Sequence, residues 1–187
     1  MNKERLVAFT DAVLAIIMTI LVLELPKPTE ATLDAIFSLK ESFFAYTLSF
    51  FWLGSMWVSL HNIWHNVDKI STKIIWWNIT LLFFASLIPY TTSLVSEHFD
   101  NGVIQGFYGI AVILLTITNV ILNVVLDEPN IENNELLEIT KGFRKLLLIE
   151  IVIKIVGLII AETIYPPAMM ISVLVAALFI TIIKNKI

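Results

Sequence analysis

Six stretches of the chain are apolar over lengths that match the roughly 20 helical residues needed to cross ~30 Å of hydrocarbon. They run over 4–25, 43–63, 74–95, 102–126, 143–163 and 167–183. Turn and charge signals separate them: Pro26-Lys27-Pro28, Asp68-Lys69, His98 to Gly102, Asp127-Glu128-Pro129 and Pro166-Pro167. The pattern predicts an all-α polytopic membrane protein with six transmembrane helices, forming one domain over residues 1–187. Two connections are long enough for structure of their own. The 29–42 stretch predicts a short interfacial helix, and the acidic 130–141 stretch predicts a segment at the membrane surface.

Composition agrees with the pattern. Hydrophobic residues make up 58% of the chain and charged residues only 15%, with a mean hydropathy of +0.87. A soluble domain carries about 45–50% apolar and about 25% charged residues, so a water-soluble fold of this size is excluded and the bilayer is the expected surrounding. The net charge of −4 comes from scattered residues, which predicts no nucleic-acid partner. Without cysteine there is no disulfide or thiol chemistry. The first apolar run is too long for a signal-peptide core and is followed by Glu24-Leu25-Pro26-Lys27 rather than a small-residue cleavage site, which predicts that it is retained.

The basic residues also predict orientation. With six spans, nine cations (Lys3, Arg5, Lys69, Lys73, Lys141, Arg144, Lys145, Lys184 and Lys186) share one side and only Lys27 and Lys40 the other. The side richer in Lys and Arg is the cytoplasmic one, so both termini are expected there in a multi-pass cell-membrane protein.

Helix 1 combines polarity with membrane depth. Arg5 and Asp11 stand six residues apart at its mouth. Charge at such depth is costly and usually functional. At about 100° per residue, Ala12, Ile16, Thr19, Ile20 and Leu23 fall on one narrow face, aliphatic apart from Thr19. Asp11 lies about 140° from Ile16 and Thr10 about 120° away on the other flank. The polar motif and the aliphatic stripe therefore face different partners. Helix 2 supplies candidates for the first: Trp57 and His61 are i and i+4, can both donate hydrogen bonds, and reach the same membrane side as the start of helix 1. Trp64, His65 and Asn66 suit an interfacial belt. His61 and His65 have the spacing of a zinc pair, but no third ligand or general-base Glu accompanies them, so no metal site is expected.

The pattern Arg5-x3-Phe9-Thr10-Asp11-x7-Thr19 resembles the Arg-x3-Phe-Ser-Asp-x7-Thr signature of the endolysosomal potassium channel family (transmembrane protein 175) and its short bacterial relatives. Trp57 and His61-Asn62 are similar to the family's Trp-x3-His pattern, and the third helix with Pro89 also fits; Thr10 departs from the usual Ser but keeps a hydroxyl. The resemblance implies a potassium-selective channel, a homotetramer of six-span subunits whose first helices line a central pore. It implies a constriction at Ile16, Ile20 and Leu23, selectivity at Thr19, and a network of Arg5, Thr10, Asp11, Trp57 and His61 bracing helix 1. It implies permeating potassium and no cofactor. Independently, the chain has no Thr-Val-Gly-Tyr-Gly loop, acidic ring or glycine run to strip an ion's water, so a pore here would be an apolar passage that wets and dewets.

Helix 5 holds Glu150 and Lys154 at i and i+4 near mid-span, in the favourable order for an ion pair. A structural pair is one reading. The other is a proton-coupled secondary transporter using Glu150, Lys154 and Asp11, although no inverted repeat or broken-helix pair accompanies them. An enzyme is not expected, for want of a nucleophile–base pair at membrane depth. Glu162 fits an interfacial position. Asn78, Asn119 and Asn123 can bridge helices, and Gly102, Gly106 and Gly109 allow close packing.

Overall fold

The computed structural model describes residues 2–184, so Lys186, counted above as a cytoplasmic cation, lies outside the described residues. The described chain forms eight α-helices joined by short connections: α1 (Lys3–Leu23), α2 (Leu33–Phe37), α3 (Lys40–His65), α4 (Thr72–Ser86), α5 (Ile88–Glu97), α6 (Gly102–Asp127, continued by a 3-10 turn over Glu128–Asn130), α7 (Asn134–Thr163) and α8 (Ala168–Lys184). Short polar side chains start most of them. Asn2, Thr32, Ser71, Asn101 and Asn133 each accept a hydrogen bond from the backbone N–H three residues on, satisfying donors the helix leaves orphaned. The helix α2 occupies the connection expected to hold a short one.

Three boundaries differ from the sequence expectation. The third stretch is two helices, because Pro89 has no N–H to donate to the carbonyl of Ala85; the ladder breaks at Leu87, which bonds back to Phe84 at 3.2 Å. The acidic connection is largely helix: α7 starts at Asn134, capped by Asn133, and runs 30 residues. Four helical stretches, Lys3–Leu23, Lys40–His65, Thr72–Glu97 and Gly102–Asn130, are long and apolar enough to cross a membrane, rather than a clear six. The charges of α7 (Glu150, Lys154 and Glu162 in its apolar half) and the 17 residues of α8, about 25 Å of helix, set those two apart.

Apolar side chains fill the core and also cover the outside of the bundle. Large apolar side chains such as Phe51, Phe83, Val152 and Ile164 are exposed, while Ser49, Thr92, Asn78, Glu150 and Lys154 are buried between helices. With lipid outside, no hydrophobic force drives helix against helix, and polar contacts and close backbone approach take over. A hydroxyl chain of Thr92, Ser49 and Tyr108 ties α5, α3 and α6 together, at 2.9 and 3.2 Å. Helix α6 sits centrally, packed on α4, α5, α7 and α8. Helix α1 lies at the edge against α3, α4 and α5, burying only the stripe Leu6, Thr10, Leu14, Ile17 and Leu21.

Glycines set close approaches to α8, Gly157 from α7 and Gly109 from α6. A Cβ at Gly157 would fall 2.2 Å from the Ser172 side chain, and one at Gly109 2.7 Å from the Met169 sulfur. Gly106 faces the Glu162 carboxylate in the same way, whereas Gly102 has only an ordinary 3.4 Å contact and no packing need for glycine. Gly157→Ala is expected to force α7 and α8 apart and to cost about 1–3 kcal/mol, read as a lowered denaturation midpoint in detergent.

Candidate functional site

The α1 stripe that packs inward is centred on Thr10, about 120° around the helix from Ile16. The aliphatic face therefore points away from the chain's own core. Ile16 is 58% exposed, Ile20 36% and Leu23 78%. Thr19 is exposed with them and donates its hydroxyl hydrogen to the Ile16 carbonyl at 2.7 Å. That bond fixes the hydroxyl in place and leaves its oxygen lone pairs turned out as acceptors.

Asp11 sits where α1 crosses α3. Its Oδ1 accepts a hydrogen bond from the Trp57 indole Nε1 at 2.8 Å. His61, one turn along α3, stacks its ring on Trp57 (centroids 5.7 Å apart, planes at 35°) rather than bonding the carboxylate itself. The other two members of the expected network lie elsewhere. Thr10 is buried on the α4 side, donating to the Leu6 carbonyl and accepting from Asn78 Nδ2, both at 2.8 Å. A one-residue step along a helix turns the side chain by about 100°, which is why Thr10 and Asp11 brace α1 against different neighbours. Arg5 is exposed, and its guanidinium has no partner among the described residues; only its backbone N–H is bonded, to Asn2. The cation that braces this end of α1 is Lys3, whose Nζ donates to the Val67 carbonyl at 2.6 Å and the His65 carbonyl at 3.2 Å. These carbonyls end α3, where a cation also meets the negative end of the helix dipole. Its sign was legible in the sequence, but its reach across the helix pair was not.

Trp64 is a correction of another kind. It is buried at 2% exposure in the core, not part of an aromatic belt, and its indole N–H is unpartnered; His65 beside it is exposed. A ring nitrogen alone does not tell a belt tryptophan from a packed one.

The second polar centre is fully enclosed. Glu150 and Lys154 form an ion pair within α7, with side-chain exposures of 3% and 0%. Glu150 Oε1 also accepts from Trp52 Nε1 of α3 at 2.9 Å, and Lys154 Nζ donates to Thr116 Oγ1 of α6 at 2.8 Å. The ammonium lies 4.2 Å from the centre of the Trp52 ring, so the tryptophan serves the anion with its N–H and the cation with its face. Each charge is thus paired and further bonded, which is the condition under which burial is tolerated. No hydrogen bond or ion pair among the described residues joins Asp11 to this centre, so the three titratable groups of the transporter reading do not form one site.

Two more braces escaped the sequence reading. Asn130 accepts from the Asp68 and Lys69 N–H groups and donates to the Lys69 and Leu126 carbonyls, clamping the α3–α4 connection to the end of α6. Arg144 of α7 pairs with Asp127 and donates to the Asn123 carbonyl at 3.0 Å. Of the three intramembrane asparagines, only Asn78 bonds across helices through its side chain. Asn123 donates within α6 to Asn119. No group of three or more His, Asp or Glu side chains able to hold a metal occurs among the described residues.

Residues 5–89, which carry most of α1, all of α2, α3 and α4 and the start of α5, match the family model described as endosomal/lysosomal potassium channel TMEM175. A potassium channel of Chryseobacterium is 38% identical over 139 residues, covering 74% of this chain and 72% of that one. A potassium channel of Chamaesiphon minutus is 34% identical over 100 residues, about half of either chain. The endosomal/lysosomal proton channel TMEM175 of Gallus gallus is 31% identical over 114 residues, 23% of its length. In three dimensions the chain shares its fold with the crystal structure of a lysosomal potassium-selective channel TMEM175 homolog from Chamaesiphon minutus. The TM-score is 0.73 at 23% identity, over 94% of this chain and 96% of that one.

Proposed function

Since the chain belongs to the TMEM175 family of ion channels and is not an enzyme, we propose that it conducts potassium selectively through a pore lined by α1 from symmetry-related copies. The observation that carries this reading is the exposed aliphatic stripe of α1: Ile16, Ile20 and Leu23 project from the edge of the bundle, off the stripe that packs on their own core. One helix face cannot enclose a passage, so a ring of copies is required, and the resemblance to the channel family implies four. In that ring the three aliphatic positions form stacked constrictions that conduct only when wetted. The Thr19 oxygens form a hydroxyl layer between them, held by the bond to Ile16 with lone pairs free for a partly dehydrated cation.

Asp11 with Trp57, Thr10 with Asn78, and Lys3 with the end of α3 then act as positioning groups, holding the rotation and depth of α1 that aim the stripe at the axis. The reading takes α7 and α8 as the fifth and sixth spans, with the paired burial of Glu150 and Lys154 making α7 tolerable at membrane depth. The nine-to-two split of cations then puts both termini in the cytoplasm.

The test is potassium flux from liposomes holding only the purified protein; no flux at any voltage or pH sinks the proposal. Thr19→Val keeps the shape of the side chain and removes the hydroxyl. It is expected to lower the potassium-over-sodium permeability ratio severalfold with conductance largely kept. An unchanged reversal potential under bi-ionic conditions would move selectivity elsewhere.

A further inference from the structure

Three adjoining clefts form a groove along α3. In one of them α3 and α8 form apolar walls, Phe44, Phe51 and Val58 opposite Leu174 and Leu178. Toward the end of α3 another lies between α3 and α7, where Asn62 and Leu146 stand with Lys145 and Glu138. The cleft beside Glu150 lies between them, sharing Ser55 with the first and Ser59 with the second. Lys145 and Glu138 line the same opening yet form no ion pair with each other or with any other described residue.

Gly142 marks the opening as room for something outside the chain. It sits inside the 30-residue α7, where glycine costs roughly 1 kcal/mol against alanine. A Cβ there would meet nothing within 4 Å, unlike one at any other glycine of the chain. No neighbour within the chain demands the glycine.

We propose that this groove holds a phospholipid with a primary-amine headgroup, of the phosphatidylethanolamine class. Its acyl chain lies along the α3–α8 walls, its phosphate meets Lys145 and its ammonium meets Glu138. The order of the lining matches that of the lipid from the membrane outward: apolar walls, then a cation, then an anion. Seven residues separate Lys145 from Glu138, about 10 Å of rise. Side chains on a helix lean toward its N-terminus, and because the Lys145 stem is longer than that of Glu138 the gap between their charges is shorter than the rise. A purely anionic headgroup would leave Glu138 facing like charge, and a quaternary amine could not donate to it. The inference rests on the proposed topology, in which the first turns of α7 lie at the membrane surface.

The test is native mass spectrometry of the delipidated full chain offered equal amounts of phosphatidylethanolamine, phosphatidylcholine and phosphatidylglycerol, with potassium flux measured on the same preparations. The expected result is one phosphatidylethanolamine retained per chain in preference to the other two. Lys145→Gln should weaken retention of all three about fivefold, the effect of one cation at the interface. Glu138→Gln should abolish the headgroup preference while leaving retention. Gly142→Leu, which fills space without meeting a neighbour, should remove the lipid without lowering the denaturation midpoint. Equal retention of the three lipids by the unaltered chain, or undiminished retention by Gly142→Leu, overturns the site. So does an absence of lipid with Gly142→Leu dissociating the oligomer, which would give the groove to a neighbouring copy. Lipid retained without potassium flux sinks the channel and leaves the site standing; flux without retained lipid does the reverse.

Discussion

Lys154→Met is expected to destabilise the chain by about 3–5 kcal/mol, the cost of leaving one member of a buried ion pair without its partner. Lys154 is fully buried and Glu150 is 3% exposed, so bulk water does not screen the charge left behind. Methionine keeps the length of the side chain, which separates loss of charge from loss of packing. The Glu150 carboxylate would retain only the Trp52 N–H, and Thr116 would lose its donor. The double variant Glu150→Gln with Lys154→Met removes both charges and should recover most of the loss, because an apolar or neutral replacement of a buried pair is often neutral. Denaturation midpoints of the two single variants and the double form a cycle. A coupling near zero would mean that the two charges are satisfied independently by α3 and α6.

Ile16→Ala is the second large effect, and it falls on conduction rather than stability. Ile16 is 58% exposed and lies off the buried stripe of α1, so truncation leaves no core cavity and should change the denaturation midpoint little. At a constriction, each copy loses three carbons of apolar wall, on the order of 2 kcal/mol of transfer free energy. A rise of about tenfold in single-channel conductance or open probability needs only 1.4 kcal/mol off the barrier to wetting. Ile17→Ala is the internal comparison. It is one residue away but buried at 3% exposure, so it should cost about 2–5 kcal/mol of stability and leave the conductance of the folded fraction unchanged. Equal conductance for Ile16→Ala and the unaltered channel would place the narrow part of the path elsewhere.

Much of this was legible from the chain alone, and the division is physical. Hydropathy and helical period are local properties. They located α1, α3 and α6 to within a few residues, and they separated the aliphatic stripe of α1 from the Asp11 flank before any neighbour was known. Depth and an i, i+4 spacing offered Asp11 both Trp57 and His61, and the fold gives it Trp57. Arg5 and Trp64 went the other way. A long cation at a helix mouth has several carbonyls within reach, and Lys3 took them instead. Tryptophan suits a belt and a core equally.

Membrane residence, helical class and the aliphatic face of α1 are written in the order of apolar and polar residues, because each depends only on neighbours along the helix. The partners are not. That Trp52 serves both members of the Glu150–Lys154 pair, that Thr10 turns to Asn78 rather than to α3, and that Gly142 opens on empty space all depend on how helices far apart in the chain are rotated and set in depth against one another. A rotation of about 100° or a shift of one 5.4 Å turn would exchange every one of these contacts while leaving each helix as it is. Tertiary packing alone selects among those settings.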